Sequence, residues 1–340
     1  MGIKKGLLCL TIACYTFTVL NAQHTFVVQN GTSTSLFESL TNAYNSANSG
    51  DTIYLPGGVF TVPTPVSKSL TWFGVGHYPD STQATYFTQI TNSVNFNGDT
   101  DGSTLTGIFF SNSISFGEAA NNAENINLSR CRMPGITLKQ NSDTTDIGFS
   151  ITECVITSHI YANNSSNVTF EKNLVFGTIN TFQNTHFDYN SINVYEGVSR
   201  LIRNCSNCLF TNNIFGYVHL LDNTNNCYFN NNLFQSTMNF PYGTNEGTNN
   251  ITNVGWANFY QTITGNIYTF SYDNNYHLQT NNPTWATFST DSTEPGIYGS
   301  LLPYKEGAVP INPHIRSTVI NQKTTNGILP VQITVGAQDY

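Results

Sequence analysis

Two carboxylates, an imidazole and an ammonium group lie near one another in the middle of the chain, at Glu171, Asp188, His186 and Lys172. Glu171 and Asp188 each follow a phenylalanine directly. If the interval between them is one coil of a repeating β-structure, the two carboxyl groups point outward about 5 Å apart, as the catalytic carboxyls do in retaining glycosidases. Such closeness raises the pKa of one carboxyl, so the four residues could perform acid–base catalysis or bind calcium. The alternative is an exposed face on which Lys172 relieves the repulsion between Glu171 and Asp188.

A repeat of about 20 residues carries these side chains and is clearest in the segments 168–176, 208–215 and 227–234. A unit this short fits one coil of a parallel β-solenoid, in which equivalent residues stack about 4.8 Å apart. We therefore expect roughly ten to twelve coils between residues 50 and 290. The apolar anchors of the repeat are Leu128, Ile151, Phe170, Phe187, Phe210 and Phe229. The column three positions after the anchors is Cys131, Cys154, Asn173, Asn190, Asn213 and Asn232. Its asparagines predict a ladder of hydrogen-bonded amides.

The composition of the 340-residue chain agrees with an all-β fold. Only 9% of the residues are charged, whereas 13% are aromatic and 46 are asparagine. Few charges argue against long surface helices, and many aromatic residues argue against disorder. The net charge of -8 makes nucleic acid an unsuitable partner. One helix is expected between residues 35 and 47, where Leu36, Phe37, Leu40 and Tyr44 follow helical spacing.

Several stretches resemble the right-handed parallel β-helix superfamily, also called the pectate-lyase or pectin-lyase-like fold. Residues 36–62, with SGDTIYLPGG at 49–58, resemble the amphipathic helix cap and first coil of that superfamily, and LTWFGVG at 70–76 resembles its second coil. The column of Asn173, Asn190, Asn213 and Asn232 resembles its asparagine ladder. The C-terminal YHL at 276–278, GIYG at 296–299 and PYKEGAVP at 303–310 resemble the closing segment of secreted β-helix proteins of the Bacteroidetes type.

The resemblance implies an extracellular polysaccharide as ligand or substrate, and calcium if the protein is a lyase. However, the sequence lacks the Asn-Thr-Asp, Asp-Asp, Gly-His-Gly and Arg-Ile-Lys signatures of polygalacturonases. We therefore predict a secreted or cell-surface β-helix protein that binds carbohydrate or a surface partner without catalysis. The alternative is a divergent polysaccharide lyase or glycoside hydrolase. Candidate sugar-stacking rings are Tyr189, Tyr195, Tyr217, Tyr242, Trp256 and Tyr260, and packing in the core or in turns is the alternative for them.

Four cysteines occupy equivalent positions of adjacent coils. Cys131 and Cys154 form one such pair, and Cys208 and Cys227 form the other. Neighbouring coils bring Cα atoms within the range that a disulfide requires. Two disulfides are one interpretation, and free, buried thiols that pack as small apolar residues are the other.

The two ends of the chain predict export and a small appendage. Residues 1–22 have the layout of a signal peptide, with Lys4 and Lys5 before an apolar stretch and a cleavage site near Ala22. A weaker alternative is a lipoprotein signal that makes Cys14 the first residue. We expect a monomer, secreted or at the outer cell surface, with no transmembrane segment. The expected domains are a β-helix with its N-terminal cap at 23–313 and a C-terminal β-appendage at 314–340.

Overall fold

The computed structural model of the protein describes residues 25–118, 121–138, 147–194, 201–216, 221–255, 259–305, 314–320, 323–324 and 327–336. The predicted signal peptide at 1–22 lies outside these residues. Because most coils contribute one short strand to each of three parallel sheets, the chain winds into a solenoid of about nine turns. The predicted ten to twelve coils were too many, because residues 259–305 leave the helical path and pack on its side.

The N-terminal end begins with the antiparallel strands β1 (Phe26–Asn30) and β2 (Ser33–Phe37), followed by helix α1 (Leu40–Ser46). The predicted helix started too early, because residues 33–37 pair with β1. The helix begins after Ser39, whose hydroxyl accepts a hydrogen bond from the backbone N–H of Asn42 and so caps the first turn. Its buried residues join the solenoid core at this end.

Three parallel sheets form the body of the solenoid, and we name them sheets A, B and C in the order in which each coil visits them. Sheet A continues from β2 and β1 through β3 (Thr52–Tyr54), β5 (Thr71–Phe73), β8 (Thr104–Thr106), β11 (Asn127–Ser129), β14 (Ser150–Thr152), β17 (Thr169–Glu171), β20 (His186–Asp188), β23 (Leu209–Thr211), β26 (Tyr228–Asn230) and β28 (Glu246–Thr248). Sheet B contains β4 (Gly58–Phe60), β6 (Thr88–Ile90), β9 (Phe109–Phe110), β12 (Arg132–Met133), β15 (Val155–Ile156), β18 (Leu174–Val175), β21 (Ser191–Asn193), β24 (Ile214–Gly216) and β27 (Leu233–Phe234). Sheet C contains β7 (Val94–Phe96), β10 (Ile114–Phe116), β13 (Ile136–Leu138), β16 (Ile160–Tyr161), β19 (Ile179–Asn180), β22 (Ile202–Arg203) and β25 (Leu221–Asp222).

The remaining strands form two antiparallel pairs. Strands β29 (Tyr260–Thr262) and β30 (Asn275–Leu278) belong to the segment that packs on sheet B. Strands β31 (His314–Ile320) and β32 (Val331–Gly336) form the predicted C-terminal appendage. Short 3-10 helices span Pro79–Ser81, Gly98–Thr100 and Pro283–Thr287.

The predicted vertical stacking of the repeat is confirmed. Phe170 pairs with Phe187, Phe187 with Phe210, and Phe210 with Phe229 in neighbouring strands of sheet A. The ring centroids of Phe187, Phe210 and Phe229 are 4.6 Å apart at both steps, with the planes within 10° of parallel. This ring spacing is close to the distance between paired strands, so the side chains and the backbone repeat with the same spacing from coil to coil.

The predicted asparagine ladder runs along the turn between sheets A and B. Each ladder amide accepts a hydrogen bond from the previous member's backbone N–H, at 2.8–2.9 Å, and donates to a backbone carbonyl of the preceding coil. Asn250, which the sequence argument did not include, is a fifth member, and its Oδ1 accepts from the N–H of Asn232 at 2.9 Å. The ladder therefore satisfies buried backbone groups at a turn where no strand pairing can do so.

The residue directly before each ladder position has a positive φ. This turn column contains Gly107, Arg130, Glu153, Lys172, Tyr189, Asn212, Asn231 and Asn249, with φ between 51° and 69°. The left-handed conformation bends the chain at the end of each of these sheet A strands.

The described cysteines are free and buried thiols, which is the second of the two interpretations. Three of them take part in ladder-like contacts. The N–H of Cys154 donates to Oδ1 of Asn173 at 2.9 Å, and the N–H of Cys208 donates to Sγ of Cys227 at 3.4 Å. A thiol is small enough to replace the amide where the turn is tightly packed.

Candidate functional site

The structure brings the four predicted site residues together on the outer face of sheet A. Strands β17 and β20 pair in register, so that Glu171 lies beside Asp188 and Thr169 lies beside His186. Lys172 follows at the turn, and its ammonium group forms an ion pair with Oε1 of Glu171. The adjacency of these residues is confirmed, whereas their catalytic role stays a prediction.

Asp188 is the most strongly held carboxylate of the group. Its Oδ1 accepts hydrogen bonds from the hydroxyl of Thr211 at 2.6 Å and from Nδ2 of Asn212 at 2.9 Å. Partial burial raises the pKa of Asp188, and the nearby charge of Glu171 adds to that effect. The two hydrogen bonds and the charge of His186 oppose it.

Thr211 connects His186 to Asp188 in a short proton chain. Nε2 of His186 lies 2.7 Å from Oγ1 of Thr211. Because the single hydroxyl proton of Thr211 is directed to Asp188, Oγ1 accepts from His186, and Nε2 must carry a hydrogen. The imidazole is thus fixed as a donor, and the three residues are positioned as one unit. Thr211 and Asn212 were not predicted as site residues. Thr211 is nevertheless the next member of the column of Glu171 and Asp188, and Asn212 is the next member of the turn column of Lys172 and Tyr189.

A second ion pair continues the charged cluster one coil earlier. Nε of Arg130 lies 2.5 Å from Oε2 of Glu153, and both side chains are largely buried. Glu153 stands in the same turn column as Lys172, and its partner is Arg130. Charges therefore alternate along the turn through Arg130, Glu153 and Lys172, which limits the net charge that the site presents.

The C-terminal part of the chain forms one wall of the site. The hydroxyl of Tyr189 donates to Oδ1 of Asp291 at 2.5 Å, and Asn212 exchanges two hydrogen bonds with Thr290. The N–H of Gly296 donates to the carbonyl of Asn212 at 2.7 Å. The sequence held no signal for these contacts, since the partners are separated by 78 to 102 residues and lie outside the repeat.

The candidate sugar-stacking rings differ in exposure, and their binding of sugar stays a prediction. Tyr242 is 52% exposed, whereas Tyr189 and Tyr260 are each only 4% exposed and follow the alternative of core packing. Tyr189 packs against segment 259–305, and burial and the neighbouring Asp291 raise the pKa of Tyr189 to about 12. Tyr260 belongs to that segment and is buried where its hydroxyl donates to Oδ1 of Asn193. Tyr195, Tyr217 and Trp256 lie outside the described residues.

The charged cluster sits within a longer row of polar side chains, which we call the polar ribbon. It consists of the last side chain of eight consecutive strands of sheet A: Thr106, Ser129, Thr152, Glu171, Asp188, Thr211, Asn230 and Thr248. Thr106 and Thr211 are buried in this row, and its other members are half-buried or exposed. Seven steps of about 4.8 Å give it a length of about 34 Å. Neighbouring members are hydrogen-bonded, as between Thr106 and Ser129 at 2.8 Å and between Thr248 and Asn230 at 3.0 Å.

Among the described residues, no three side chains of His, Cys, Asp or Glu are arranged to hold a metal ion. The calcium that a lyase would use stays a prediction. Likewise, no helix in the described part of the chain is long and apolar enough to cross a membrane.

No protein-family model matches the chain, and neither a curated protein nor a solved structure matches it with statistical significance. The class of the protein therefore rests on its own strand register. Three parallel sheets, in which each strand pairs with its equivalent in the next coil, define an all-β parallel β-solenoid.

Proposed function

We propose that this protein is a secreted or cell-surface β-helix that binds a glycan chain along the polar ribbon without cleaving it. The observation that carries the proposal is the ribbon itself, which is a row of hydroxyl, amide and carboxylate groups about 34 Å long. Sugar hydroxyls both donate and accept hydrogen bonds, and such a row offers them both kinds of partner. We also propose membership of the pectate-lyase-like superfamily, which the asparagine ladder supports.

The bonding within the charged cluster favours binding over catalysis. Glu171 is neutralised by Lys172, and Oδ1 of Asp188 already accepts two hydrogen bonds from its neighbours. A nucleophile or a general base needs a carboxylate that is free to reach the substrate. Carboxylates held in place in this way are better suited to accept hydrogen bonds from a ligand.

A divergent polysaccharide lyase or glycoside hydrolase is the second candidate. The raised pKa of Asp188 beside Glu171 in the adjacent coil favours it, because a general acid must hold its proton near the working pH. In a retaining hydrolase mechanism Asp188 would protonate the leaving glycosidic oxygen, and Glu171 would be the nucleophile at the sugar ring. His186 and Lys172 would adjust the charge of the two carboxyl groups.

A steric variant tests where the glycan binds. Thr152→Trp places a bulky ring on the ribbon between Ser129 and Glu171, and Ser115→Trp places the same ring on the outer face of sheet C. Binding to a panel of neutral and acidic polysaccharides is measured by affinity electrophoresis. We expect Thr152→Trp to abolish binding and Ser115→Trp to leave it unchanged. Equal effects of the two variants, or no binding by the native protein, would refute the proposal.

Product analysis separates binding from catalysis. The native protein is incubated with the same polysaccharides, with and without calcium, and unsaturated and reducing ends are measured. We expect no release of products. Products that disappear in Asp188→Asn but persist in Asp222→Asn, an aspartate outside the ribbon, would establish the second candidate instead.

A further inference from the structure

A second concave site lies on the sheet B side of the molecule, away from the polar ribbon. It is a cleft of about 370 Å³, within the range of about 300–1,000 Å³ that is typical of small-ligand sites. Three separate parts of the chain form it: the turn at 78–80, strand β12 and the loop at 270–273. Its principal side chains are Tyr78, Asp80, Arg132, Phe270, Tyr272 and Asp273.

Arg132 is held rigidly at the base of the cleft by aromatic rings. Its Cζ atom lies 4.7 Å from the ring centroid of Phe109, 5.0 Å from that of Phe270 and 5.1 Å from that of Tyr272. Nη1 donates to the hydroxyl of Tyr272 at 2.9 Å. Within the described part of the chain, Arg132 has no carboxylate partner within 4.0 Å, so its remaining N–H groups are available to a ligand.

Tyr272 and His77 fix this arrangement from below. The hydroxyl of Tyr272 donates to the carbonyl of His77 at 2.7 Å, so its oxygen accepts from Nη1 of Arg132 and from Nδ1 of His77, 3.2 Å away. Nδ1 therefore carries the imidazole hydrogen, and Nε2 is buried without a hydrogen-bond partner. Burial, with the charge of Arg132, lowers the pKa of His77 to about 3, which keeps the ring neutral. The cleft is thus preorganised before any ligand arrives.

The ionisable groups of the cleft select among sugars. Asp80 and Asp273 are exposed carboxylates that outnumber the single guanidinium of Arg132, so the formal net charge of the cleft is about -1. A uronate carboxylate would add a further negative charge to this partly enclosed site, in a protein whose net charge is already -8. A neutral sugar has no such cost, and its hydroxyls can donate to both aspartates and accept from Arg132.

We propose that the cleft binds one neutral pyranose residue of a glycan, with its C–H face against the aromatic rings and its hydroxyls on Asp80, Asp273 and Arg132. This inference rests on the proposed function in that the ligand is a glycan, but it adds a second location and a sugar class.

The test uses the full chain and a matched pair of variants. Neutral tetrasaccharides of glucose, galactose, mannose and xylose, and a galacturonic acid tetrasaccharide, are titrated by calorimetry. We expect at least one neutral tetrasaccharide to bind, and to bind more tightly than the galacturonate. The double variant Asp80→Asn/Asp273→Asn should weaken that binding about tenfold, because hydrogen bonds to charged acceptors are about twice as strong as those to neutral ones. Asp99→Asn, an exposed aspartate elsewhere on the surface, should have no effect.

Hydrogen exchange distinguishes the cleft from the ribbon. Neutral sugar should protect the backbone at 77–80 and 270–273, and Thr152→Trp should leave this protection intact. Protection of 186–188 and 209–211 alone, with the double variant binding normally, would overturn the inference and leave the proposed function standing. Protection of the cleft alone would support this inference and would overturn the polar ribbon as the glycan-binding site. Tighter binding of galacturonate, or no protection of the cleft by any neutral sugar, would also overturn it.

Discussion

Replacing Asn213 by alanine removes the central amide of the five-residue ladder. Oδ1 of Asn213 accepts from the backbone N–H of Asn190 at 2.8 Å and from its Nδ2 at 3.0 Å. Nδ2 of Asn213 donates to the carbonyl of Phe187 at 2.9 Å and to Oδ1 of Asn232 at 3.1 Å. The side chain is fully buried, so no bulk water replaces these four bonds.

The magnitude of the loss follows from which groups keep a partner. Nδ2 of Asn190 still donates to Phe170, and Oδ1 of Asn232 still accepts from the N–H of residue 213. The backbone N–H of Asn190 loses its acceptor. The orphaned N–H of Asn190 costs about 1–3 kcal/mol and the other three lost hydrogen bonds cost about 1 kcal/mol each, so we expect Asn213→Ala to lower the free energy of unfolding by about 4–6 kcal/mol.

Denaturation in guanidinium chloride, followed by far-UV circular dichroism, measures this difference. Asn230→Ala is the matched control, because Asn230 lies one coil further on, is only half-buried and accepts one side-chain hydrogen bond, from Thr248. We expect the control to cost about 1 kcal/mol or less. Both midpoints and slopes are compared, since a long repeat array can lose cooperativity. A difference of less than about 1 kcal/mol between the two variants would refute the ladder as a major source of stability.

Three further outcomes follow from the same contacts. Because burial raises the pKa of Asp188, its contribution favours the folded state below the unfolded value of about 3.9 and is lost as the pH rises through the folded value. The stability of Asp188→Asn relative to the native protein should therefore increase between pH 4 and 7, and parallel denaturation curves would contradict this. Phe210→Ala should lower the free energy of unfolding by about 3–5 kcal/mol, because rings stack 4.6 Å away on both sides; a loss below about 1 kcal/mol in the same assay would be inconsistent with that stack. Burial raises the pKa of Cys131 to about 12, and the thiol of Cys205 helps to raise that of Cys208 to about 12. A thiol reagent at pH 8 should leave these cysteines unmodified until guanidinium is added, whereas rapid labelling of the native protein would show that they are accessible.

The sequence predicted those features in which one coil repeats the contacts of the next. Phe170 and Phe187 stack because the same pair of neighbouring strands recurs in each coil, so that identical residues meet. The adjacency of Glu171 and Asp188 followed from the same register. Thr211 could have been found in the same way, because it is the next member of their column.

Contacts outside the repeat were not predictable by that reasoning. Arg132 and Tyr272 are 140 residues apart, and Tyr189 and Asp291 are 102 apart. Each pair occurs only once, so the repeat of the sequence does not predict it. Both contacts depend on how segment 259–305 packs against sheet B. The predicted start of the helix at residue 35 was wrong for a local reason. The spacing of Leu36 fits a helix, but pairing of β2 with β1 satisfies more backbone groups at the edge of the sheet.

The positions with positive φ connect the stability of the solenoid to its candidate site. Asparagine tolerates this conformation, whereas other L-residues lose about 1–2 kcal/mol in it. Later coils have asparagine there, but four consecutive coils have Arg130, Glu153, Lys172 and Tyr189. Their combined cost of about 4–8 kcal/mol is comparable to the whole stability of many domains. Arg130 and Glu153 pair with each other, Lys172 pairs with Glu171, and Tyr189 contacts Asp291. Backbone strain of this size accumulates where side chains serve a function. The four strained residues directly follow the central strands of the polar ribbon, which supports this part of the ribbon as the glycan-binding site.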